Sequence, residues 1–139
     1  MSATTKDVIE GWIRALNTSD LDGVLSRLTE DVTWHVPGDF LGLSGVHRGH
    51  SEVVALLGLL ATVFEPGTLR VEPHRMITGE GAAALECTTT ARVLDGREYR
   101  NRYAFLFDIP DGRISAIHEY LDTDYARRVL FPDSATVPE

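Results

Sequence analysis

A carboxylate and a phenol near the end of the chain have the spacing for acid–base chemistry. Two apolar-rich stretches, residues 98–109 and 113–122, flank Pro110-Asp111-Gly112, which is typical of a tight turn. If the chain reverses at this tripeptide, Tyr103 lies directly opposite Glu119 on neighbouring antiparallel strands. Side chains alternate between the two faces of a strand, so both residues lie on one face, which is otherwise mainly apolar.

An apolar environment would give the Glu119 carboxyl group a role in catalysis. A desolvated carboxyl group has a pKa raised towards neutrality, so it can take or give a proton near pH 7. The hydroxyl of Tyr103 can donate a hydrogen bond to an oxyanion that develops beside it. We therefore predict Glu119 as the catalytic acid or base and Tyr103 as its electrophilic partner. The alternative is a structural glutamate that an arginine or a hydroxyl group satisfies at the edge of the sheet.

A second turn signal extends this row of side chains to a third strand. Asp95-Gly96 is among the strongest signals for a two-residue hairpin turn. Such a turn places Thr88 opposite Tyr103, and it also places Glu86 opposite the next inward residue, Phe105. We therefore predict that Thr88 and Glu86 contact the substrate, with Glu86 as a second carboxyl group that allows acid and base roles to be divided. The alternative is a Glu86 that a neighbouring arginine neutralises.

Three histidines are candidates for chemistry outside this row. His35 follows Trp34 in a short alternating segment, residues 32–36, and alternation points it away from Trp34. It is a candidate for an acid–base or ligand-orienting role, and a packing role is the alternative. His47 and His50 are three residues apart in a glycine-rich loop, but no Asp, Glu or Cys cluster with metal-ligand spacing accompanies them. We therefore predict no metal site.

Aromatic side chains are candidates for the wall of an apolar cavity around Glu119. A pocket wall and a packed core need the same residue types, so plain core packing is the alternative. Asn101 shares the Glu119 face by alternation and is a candidate for orienting the substrate. The predicted wall comprises Trp12, Trp34, Phe40, Phe64 and Phe105.

Helical and strand patterns occupy different parts of the chain. Apolar residues recur at helical spacing in the first half, whereas β-forming residues and short turns fill most of the second half. Helices followed by a meander of long antiparallel strands are typical of an α+β fold. We predict a cone-shaped, curved antiparallel sheet wrapped around three N-terminal helices, with an apolar cavity inside. The predicted helices are residues 5–17, 20–29, 52–64 and 123–130, and the predicted strands are residues 32–36, 69–78, 82–94, 98–109 and 113–122.

The composition indicates a single soluble domain. The chain has 139 residues and a net charge of −8, which argues against nucleic acid or an anionic membrane surface as a partner. Its single cysteine, Cys87, fits a reducing compartment, and no apolar stretch reaches the length of a membrane span or forms the core of a signal peptide. We therefore expect one cytoplasmic domain over residues 1–131, followed by a loose tail over residues 132–139.

Two stretches of the sequence resemble one known group of proteins. The opening WIRALNTSDLDGVLSRLTEDVTWHVPG and the ending YAFLFDIPDGRISAIHEYLDT are similar to the first and last parts of the SnoaL-like and ketosteroid-isomerase-like group of the nuclear-transport-factor-2-like superfamily. The resemblance covers residues 5–130 and implies a cystatin-like α+β barrel. This fold hosts isomerases, polyketide cyclases, epoxide hydrolases, dehydratases and non-catalytic subunits, so the resemblance leaves the reaction open.

The catalytic positions of this group are only partly matched. Ketosteroid isomerases place a tyrosine, an aspartate base and a protonated aspartate where this sequence has Trp12, Val36 and Tyr103. Limonene-epoxide-hydrolase-like members place an Arg-x-Asp pair where this sequence has Asn101 and Tyr103. SnoaL-like cyclases and the epoxide hydrolases place an aspartate where this sequence has Glu119, so the resemblance implies a role for a carboxylate at this position.

The sequence leaves two functions open. The first is a cofactor-free enzyme that uses Glu119 and Tyr103 on a small apolar substrate carrying a carbonyl, epoxide or hydroxyl group. The second is a binding or scaffold module that holds an apolar ligand without turnover. In either case we expect a homodimer through the outer sheet face, because that face is too apolar to be left in water. The residues assigned to this face are Leu85, Arg102, Ala104, Leu106, Ala116, His118 and Tyr120.

Overall fold

The computed structural model describes residues 4–40 and 42–132, so residues 133–139 of the predicted tail lie outside the described residues. Within these ranges the chain forms four helices and six strands. None of the described helices combines the length and the apolar character that a membrane crossing needs. In chain order the elements are α1 (Thr5–Asn17), α2 (Leu21–Ser26), β1 (Leu28–Val36), β2 (Gly45–Arg48), α3 (Gly49–Leu60), β3 (Arg70–Gly79), β4 (Ala82–Arg92), β5 (Glu98–Asp108), β6 (Ile114–Leu121) and α4 (Thr123–Leu130).

Helix α1 begins at a capping box and buries one face. The Thr4 hydroxyl oxygen accepts a hydrogen bond from the Asp7 backbone N–H (3.1 Å), and the Asp7 carboxylate accepts one from the Thr4 N–H (3.3 Å). The apolar stripe of the helix includes Ile9 and Trp12, which are both fully buried. The predicted helix over residues 5–17 is therefore confirmed.

The second helix is shorter than predicted, and the first strand is longer. Asp20 caps α2 by accepting a hydrogen bond from the Gly23 N–H (2.9 Å), but the helix has only six residues. Leu28, which the periodicity assigned to a helix over residues 20–29, is instead the first, fully buried residue of β1. It lies beside Ile114 of β6, so tertiary pairing rather than local periodicity decides its conformation.

The glycine-rich segment of residues 38–50 contains regular structure that the sequence pattern did not predict. Its last part forms β2, which pairs antiparallel with β1 and leads directly into α3. Helix α3 begins at Gly49 rather than after Ser51, and it ends at Leu60, earlier than the predicted helix over residues 52–64. The glycine at this junction has a φ of 75°, which lets the chain turn sharply from strand to helix.

The six strands form one curved, unclosed sheet in the order β2-β1-β6-β5-β4-β3. The consecutive strands β3 to β6 pair antiparallel, as the meander predicted, whereas β1 pairs parallel with β6. Trp12 of α1 packs edge-on against Phe105 and Phe107 of β5, with ring centroids 5.3 and 5.2 Å apart, so the core lies between the helices and one face of the sheet. The predicted α+β class, with helices packed on a curved sheet, is confirmed.

The hairpin between β4 and β5 has a three-residue turn, which changes the predicted register by one residue. Val93 faces Arg97, because the Val93 N–H donates to the Arg97 carbonyl oxygen (2.8 Å). Gly96, with a φ of 93°, takes the left-handed position that this turn requires. Cys87 therefore lies opposite Tyr103, where a two-residue turn would place a threonine.

A shift of one residue moves every side chain of β4 to the opposite face of the sheet. Glu86 is exposed on the outer face, and Thr88 is buried on that face beside His74, whose Nε2 lies 2.6 Å from the Thr88 hydroxyl oxygen. The predicted position of Glu86 and Thr88 on the substrate side is therefore wrong. Conversely, Leu85 was predicted on the outer face, but it is buried on the inner face opposite Phe105.

The hairpin between β5 and β6 has a longer turn than predicted, and its register differs by two residues. The residues next to the turn, Ile109 and Ile114, donate their backbone N–H groups to other segments of the chain, at 2.7 and 2.8 Å. Glu119 therefore lies opposite Phe105 rather than opposite Tyr103. A shift of two residues keeps each side chain on its predicted face, so Tyr103 and Glu119 still share the inner face.

Candidate active site

An apolar cavity of about 80 Å³, which we call the inner cavity, lies between the inner face of the sheet and helices α1, α3 and α4. Its wall consists mainly of leucine, valine and aromatic side chains, and it includes the predicted wall residues Trp34, Phe40, Phe64 and Phe105. The wall has few polar side chains, and any chemistry in the cavity depends on them. Apart from the Trp34 indole, they are Thr89, Tyr99, Tyr103 and Glu119.

Glu119 is held on this wall by a hydrogen bond from an indole. Trp34 lies on β1, next to β6, and its Nε1–H donates to Glu119 Oε1 at 2.8 Å. Burial raises the pKa of Glu119 from its ordinary value of 4.5 to about 7, and the hydrogen bond from Trp34 opposes this rise only in part. Glu119 as a whole residue is partly exposed, and it lines the cavity, so a bound molecule can reach its buried carboxyl group. Glu119 can therefore exchange a proton near pH 7.

The described residues place no cationic partner against Glu119. Ion pairs among these residues lie at the surface, for example between Arg97 and Asp95 at 2.8 Å and between Arg128 and Asp124 at 3.0 Å. The interpretation of Glu119 as a structural glutamate neutralised by an arginine therefore does not fit the structure. Desolvation dominates its environment and stabilises the neutral carboxyl group.

Tyr103 ends a chain of hydrogen bonds that begins at Asn101. The Asn101 side-chain amide donates to the Tyr99 hydroxyl oxygen and to the Asp122 carbonyl oxygen, at 3.0 Å in each case. The hydroxyl groups of Tyr99 and Tyr103 are 2.8 Å apart, and either can donate to the other. Burial raises the pKa of Tyr99 to about 12 and the pKa of Tyr103 well above its ordinary value of 10. Both phenols therefore keep a hydrogen to donate at neutral pH.

Tyr103 and Glu119 occupy diagonal positions on adjacent strands. Tyr103 lies opposite Leu121 and Glu119 lies opposite Phe105, so their Cβ atoms are about 7 Å apart. No hydrogen bond joins the two side chains in the part of the chain that the structure describes, but the charge of Glu119 contributes to the raised pKa of Tyr103. A small molecule that lies between them can contact both groups.

Thr89 is a cavity residue that the sequence analysis missed. It is 5% exposed and lines the inner cavity, and among the described residues its hydroxyl group has no hydrogen-bond partner. An unsatisfied buried hydroxyl costs about 1–3 kcal/mol, and a ligand with a polar atom can relieve this cost. The signal was present as the run Thr88-Thr89-Thr90, but only the correct hairpin register shows which threonine faces inward.

Two predicted contact residues lie behind the wall rather than on it. Trp12 is fully buried against Trp34 and Phe105, with ring centroids 5.6 and 5.3 Å apart, because α1 presses it onto the sheet. Its indole nitrogen has no hydrogen-bond partner among the described residues. Asn101 is buried and donates a hydrogen bond to the hydroxyl of Tyr99, which lines the cavity. These two residues can position the wall, but they do not form it.

His35 lies on the outer face of the sheet, away from the inner cavity. Alternation along β1 turns it away from Trp34, and it stacks on His118 of β6 with ring centroids 3.9 Å apart. Desolvation lowers the pKa of His35, and the nearby His118 and Arg48 add to this effect. The candidate role of His35 in contacting or orienting a substrate in this cavity is therefore wrong.

His47 and His50 contact backbone carbonyl groups rather than each other. Nε2 of His47 lies 2.7 Å from the Leu43 carbonyl oxygen, and Nε2 of His50 lies 3.2 Å from the Leu28 carbonyl oxygen. Over residues 4–40 and 42–132, no group of three or more His, Cys, Asp and Glu side chains is arranged to hold a metal ion. Local packing therefore accounts for both imidazoles.

Comparison with protein families gives a match over most of the chain. A family model described as a SnoaL-like domain matches residues 9–117. No curated protein matches the chain significantly. The family model therefore covers the first five strands and ends within β6, so it includes most of the elements that surround the inner cavity.

Solved structures match over the same fold at low sequence identity. An NTF2-like protein of unknown function from Burkholderia pseudomallei K96243 is 24% identical, with a TM-score of 0.84 over 91% of this chain and 96% of that chain. TerC, co-crystallised with polyporic acid, is 22% identical, with a TM-score of 0.83 over 90% of this chain and 96% of that chain. A candidate polyketide cyclase from Xanthomonas campestris pv. campestris is 15% identical, with a TM-score of 0.78 over 90% and 95% of the two chains. At these identities the similarity shows the fold alone.

Proposed function

Because the chain belongs to the SnoaL-like domain family, we propose that its inner cavity is the active site of a small-molecule enzyme that uses acid–base catalysis without a cofactor. The observation that carries this proposal is the Glu119 carboxyl group, to which desolvation gives a pKa of about 7 on an otherwise apolar wall. A group with this pKa can accept and return a proton at neutral pH without a large energetic cost in either direction.

The substrate that fits this arrangement has a neutral, mainly apolar body and a carbonyl, epoxide or hydroxyl group. Ionised Glu119 removes a proton from the substrate, and the Trp34 indole holds the carboxylate in position. Tyr103 donates its hydroxyl hydrogen to the oxygen atom on which negative charge develops, while Tyr99 donates to Tyr103. Thr89 offers a further hydroxyl group. Protonated Glu119 then returns its proton to another atom, which completes an isomerisation, cyclisation or dehydration.

Two of the similar structures support separate parts of this proposal. One is the candidate polyketide cyclase from Xanthomonas campestris, and the other is TerC, which was crystallised with polyporic acid. The first supports the cyclisation arm of the proposal, and the second supports an organic ligand in a protein of this fold. The roles of individual residues rest on the geometry of this chain.

Proton exchange at a ketone tests the proposal. 2-Butanone is a small ketone that fits the size of the inner cavity and has exchangeable α-hydrogens, and its exchange in D₂O can be followed by proton NMR. We expect the wild-type protein to accelerate exchange beyond the buffer rate, and Glu119→Gln to abolish the acceleration, because the amide cannot act as a base. Glu86→Gln, which changes an exposed carboxylate on the outer face, is the matched control and should exchange like wild type. Equal acceleration by wild type and Glu119→Gln would contradict the proposal.

A binding module without turnover is the second candidate function. The hydroxyl group of buried Thr89, which has no hydrogen-bond partner among the described residues, favours it, because binding a polar ligand atom there involves no chemical step. In that case 2-butanone binds to wild type and to Glu119→Gln with similar affinity, and neither protein accelerates exchange. The same NMR samples therefore separate the two candidates.

We further propose that two copies of the chain associate through the outer face of the sheet. Leu106 and Tyr120 are 44% and 52% exposed on this face, and Ala104 and Ala116 lie beside them on the same strands. The predicted interface residues Arg102, His118 and Tyr120 all lie on this face, whereas Leu85 does not. Leu106→Glu should shift the sedimentation coefficient from that of a dimer to that of a monomer. A monomeric wild-type protein at micromolar concentration would contradict this proposal.

The predicted reducing compartment rests on the single cysteine of the sequence, Cys87. Its thiol is free and fully buried on β4. Burial raises the pKa of Cys87 to about 12, and the charges of Glu119 and Glu86 add to this rise. The thiol is therefore unreactive, and a cytoplasmic location stays a proposal from the sequence.

A further inference from the structure

A larger apolar pocket lies next to the inner cavity. It has a volume of about 430 Å³ and lies between α1, α2, α3 and residues 65–67. We call it the outer pocket. The two spaces share one wall, whose side chains line both of them: Leu16, Leu57, Leu60, Phe64 and Leu69.

The sizes of the two spaces indicate how a ligand could be divided between them. Drug-sized ligands occupy pockets of about 300–1,000 Å³. The inner cavity, at about 80 Å³, holds only a small group of atoms beside Glu119. The outer pocket, at about 430 Å³, has room for the rest of a larger molecule. Because flexible leucine side chains form most of the shared wall, a narrow chain can pass between them after rotamer changes.

We propose that the outer pocket binds the apolar tail of a substrate whose reactive head group contacts Glu119 in the inner cavity. This inference rests on the proposed function, because it uses the same site for the head group. It adds a substrate class: a neutral oxygen-containing head joined to an elongated alkyl or aryl tail.

Exposed apolar side chains on the outer pocket support an apolar occupant. Leu21 of α2 and Val54 of α3 are 41% and 39% exposed, and both line this pocket. Helix α3 also carries Leu57 and Leu60 on the shared wall, so it is apolar on more than the side that faces the core. A tail in the outer pocket covers this surface and removes it from water.

The charges around the outer pocket indicate that the tail is not anionic. Asp20 and Glu65 line the pocket, and no lysine or arginine lines it within the described part of the chain. Arg92 offsets Glu65 only weakly, because their charged atoms are 4.0 Å apart at the surface. A carboxylate at the end of a tail would therefore meet like charges at the pocket.

Gly58 offers a way to fill the outer pocket without disturbing the core. It lies on α3 and lines the outer pocket but not the inner cavity, and a Cβ atom added there meets no heavy atom within 4 Å. Gly58→Leu therefore places a side chain in the pocket, and it replaces a poor helix former with a good one. Ala55→Leu is the matched control, because Ala55 is exposed on the same helix and lines neither space.

The affinities of linear 2-alkanones, from 2-butanone to 2-decanone, test this proposal by isothermal titration calorimetry. We expect the affinity of wild type to rise roughly fourfold for each added methylene group. This rise should continue for ketones that are too long for the inner cavity. Gly58→Leu should bind 2-butanone like wild type but 2-decanone roughly tenfold or more weakly. Ala55→Leu should bind every ketone like wild type. The probe 9-oxodecanoate, which carries a carboxylate at the far end, should bind wild type more weakly than 2-decanone.

Two results would overturn the tail site. One is an affinity that stops rising once the ketone fills the inner cavity, and the other is unchanged binding of 2-decanone by Gly58→Leu. Failure of the proposed function gives a different pattern. If the ketones show the expected length dependence but no Glu119-dependent proton exchange occurs, the tail site stands and the enzyme function does not.

Discussion

Desolvation shifts the pKa of an acidic group on the inner face of the sheet and of a basic group on the outer face. On the inner face, desolvation raises the pKa of Glu119 to about 7 and favours the neutral carboxyl group. On the outer face, desolvation lowers the pKa of His35 and favours the neutral imidazole. Burial thus penalises charge of either sign. On the inner face, the shifted group also lines a cavity whose wall carries the hydroxyl groups of Tyr99 and Tyr103.

The two groups predict opposite contributions to the pH dependence of stability. Between pH 4.5 and about 7, Glu119 binds more proton in the folded state than in the unfolded state, so its contribution to stability falls as pH rises through this window. His35 has its pKa lowered from 6.5, so the unfolded state binds more proton below that value. Its contribution to stability is therefore lost as pH falls below 6.5.

The largest expected effect concerns Glu119→Gln and the free energy of unfolding. One pKa unit corresponds to about 1.4 kcal/mol, so ionising Glu119 above pH 7 costs the fold roughly 3 kcal/mol at most. Glutamine keeps an oxygen for the Trp34 hydrogen bond but never ionises. Urea denaturation should therefore show the variant more stable than wild type at pH 8 and similar to it at pH 4. Glu86→Gln is the control, and a pH-independent effect of Glu119→Gln would contradict the inner-face account.

Tyr103→Phe should have the next largest effect. It removes the hydroxyl that faces the substrate oxygen, and a buried hydrogen bond of this kind is worth about 1–3 kcal/mol. We expect the rate of 2-butanone exchange to fall by the corresponding factor, roughly 5- to 150-fold. Tyr120→Phe removes an exposed phenol from the outer face and should leave the rate unchanged. A Tyr103→Phe variant that exchanges at the wild-type rate would remove Tyr103 from the mechanism.

Substitutions of two adjacent threonines on opposite faces should have smaller effects on stability, with opposite signs. Thr89→Val removes an unpartnered hydroxyl from the inner face and should raise the free energy of unfolding by about 1 kcal/mol in the absence of ligand. Thr88→Val breaks the contact with His74 on the outer face and should lower the free energy of unfolding by a similar amount, about 1 kcal/mol. Thermal unfolding of both variants checks the signs. The same sign for both would show that the β4 register is wrong.

The smallest expected effect concerns His35→Phe. The phenyl ring keeps the stacked contact with His118 but does not titrate. The variant should therefore lose less stability than wild type between pH 7 and pH 5, when each is compared with its own value at pH 8. If urea denaturation shows that the two proteins lose the same stability at acid pH, the proposed contribution of His35 to the pH dependence is wrong.

Most elements and their order could be predicted from the sequence, but β2 was not predicted, and the register of the strands could only partly be predicted. Helical and strand periodicities are local, so α1 and the meander from β3 to β6 follow from the pattern. Two-residue and three-residue turns both contain Asp95-Gly96, yet they differ by one residue in register. Because of that difference, Glu86 and Thr88 were predicted on the wrong face, and Thr89 was not recognised as an inward-facing residue.

Glu119 and Tyr103 were predicted on one face of the sheet, and they share that face although the turn is longer than predicted. The β5–β6 register differs by two residues from the prediction, and a shift of two preserves the face of every side chain. The hydrogen bond between Trp34 and Glu119 could not be predicted. It depends on the parallel pairing of β1 with β6, and no local pattern indicates which distant strands become neighbours.

The central claim is that the inner cavity keeps Glu119 poised to exchange a proton near pH 7. Carbon-13 NMR of protein labelled at the glutamate carboxyl carbons measures this directly, with Glu119→Gln used to assign the signal. We predict that the Glu119 signal titrates with a pKa of about 7. A midpoint near 4.5, the ordinary value for glutamate, would contradict the account.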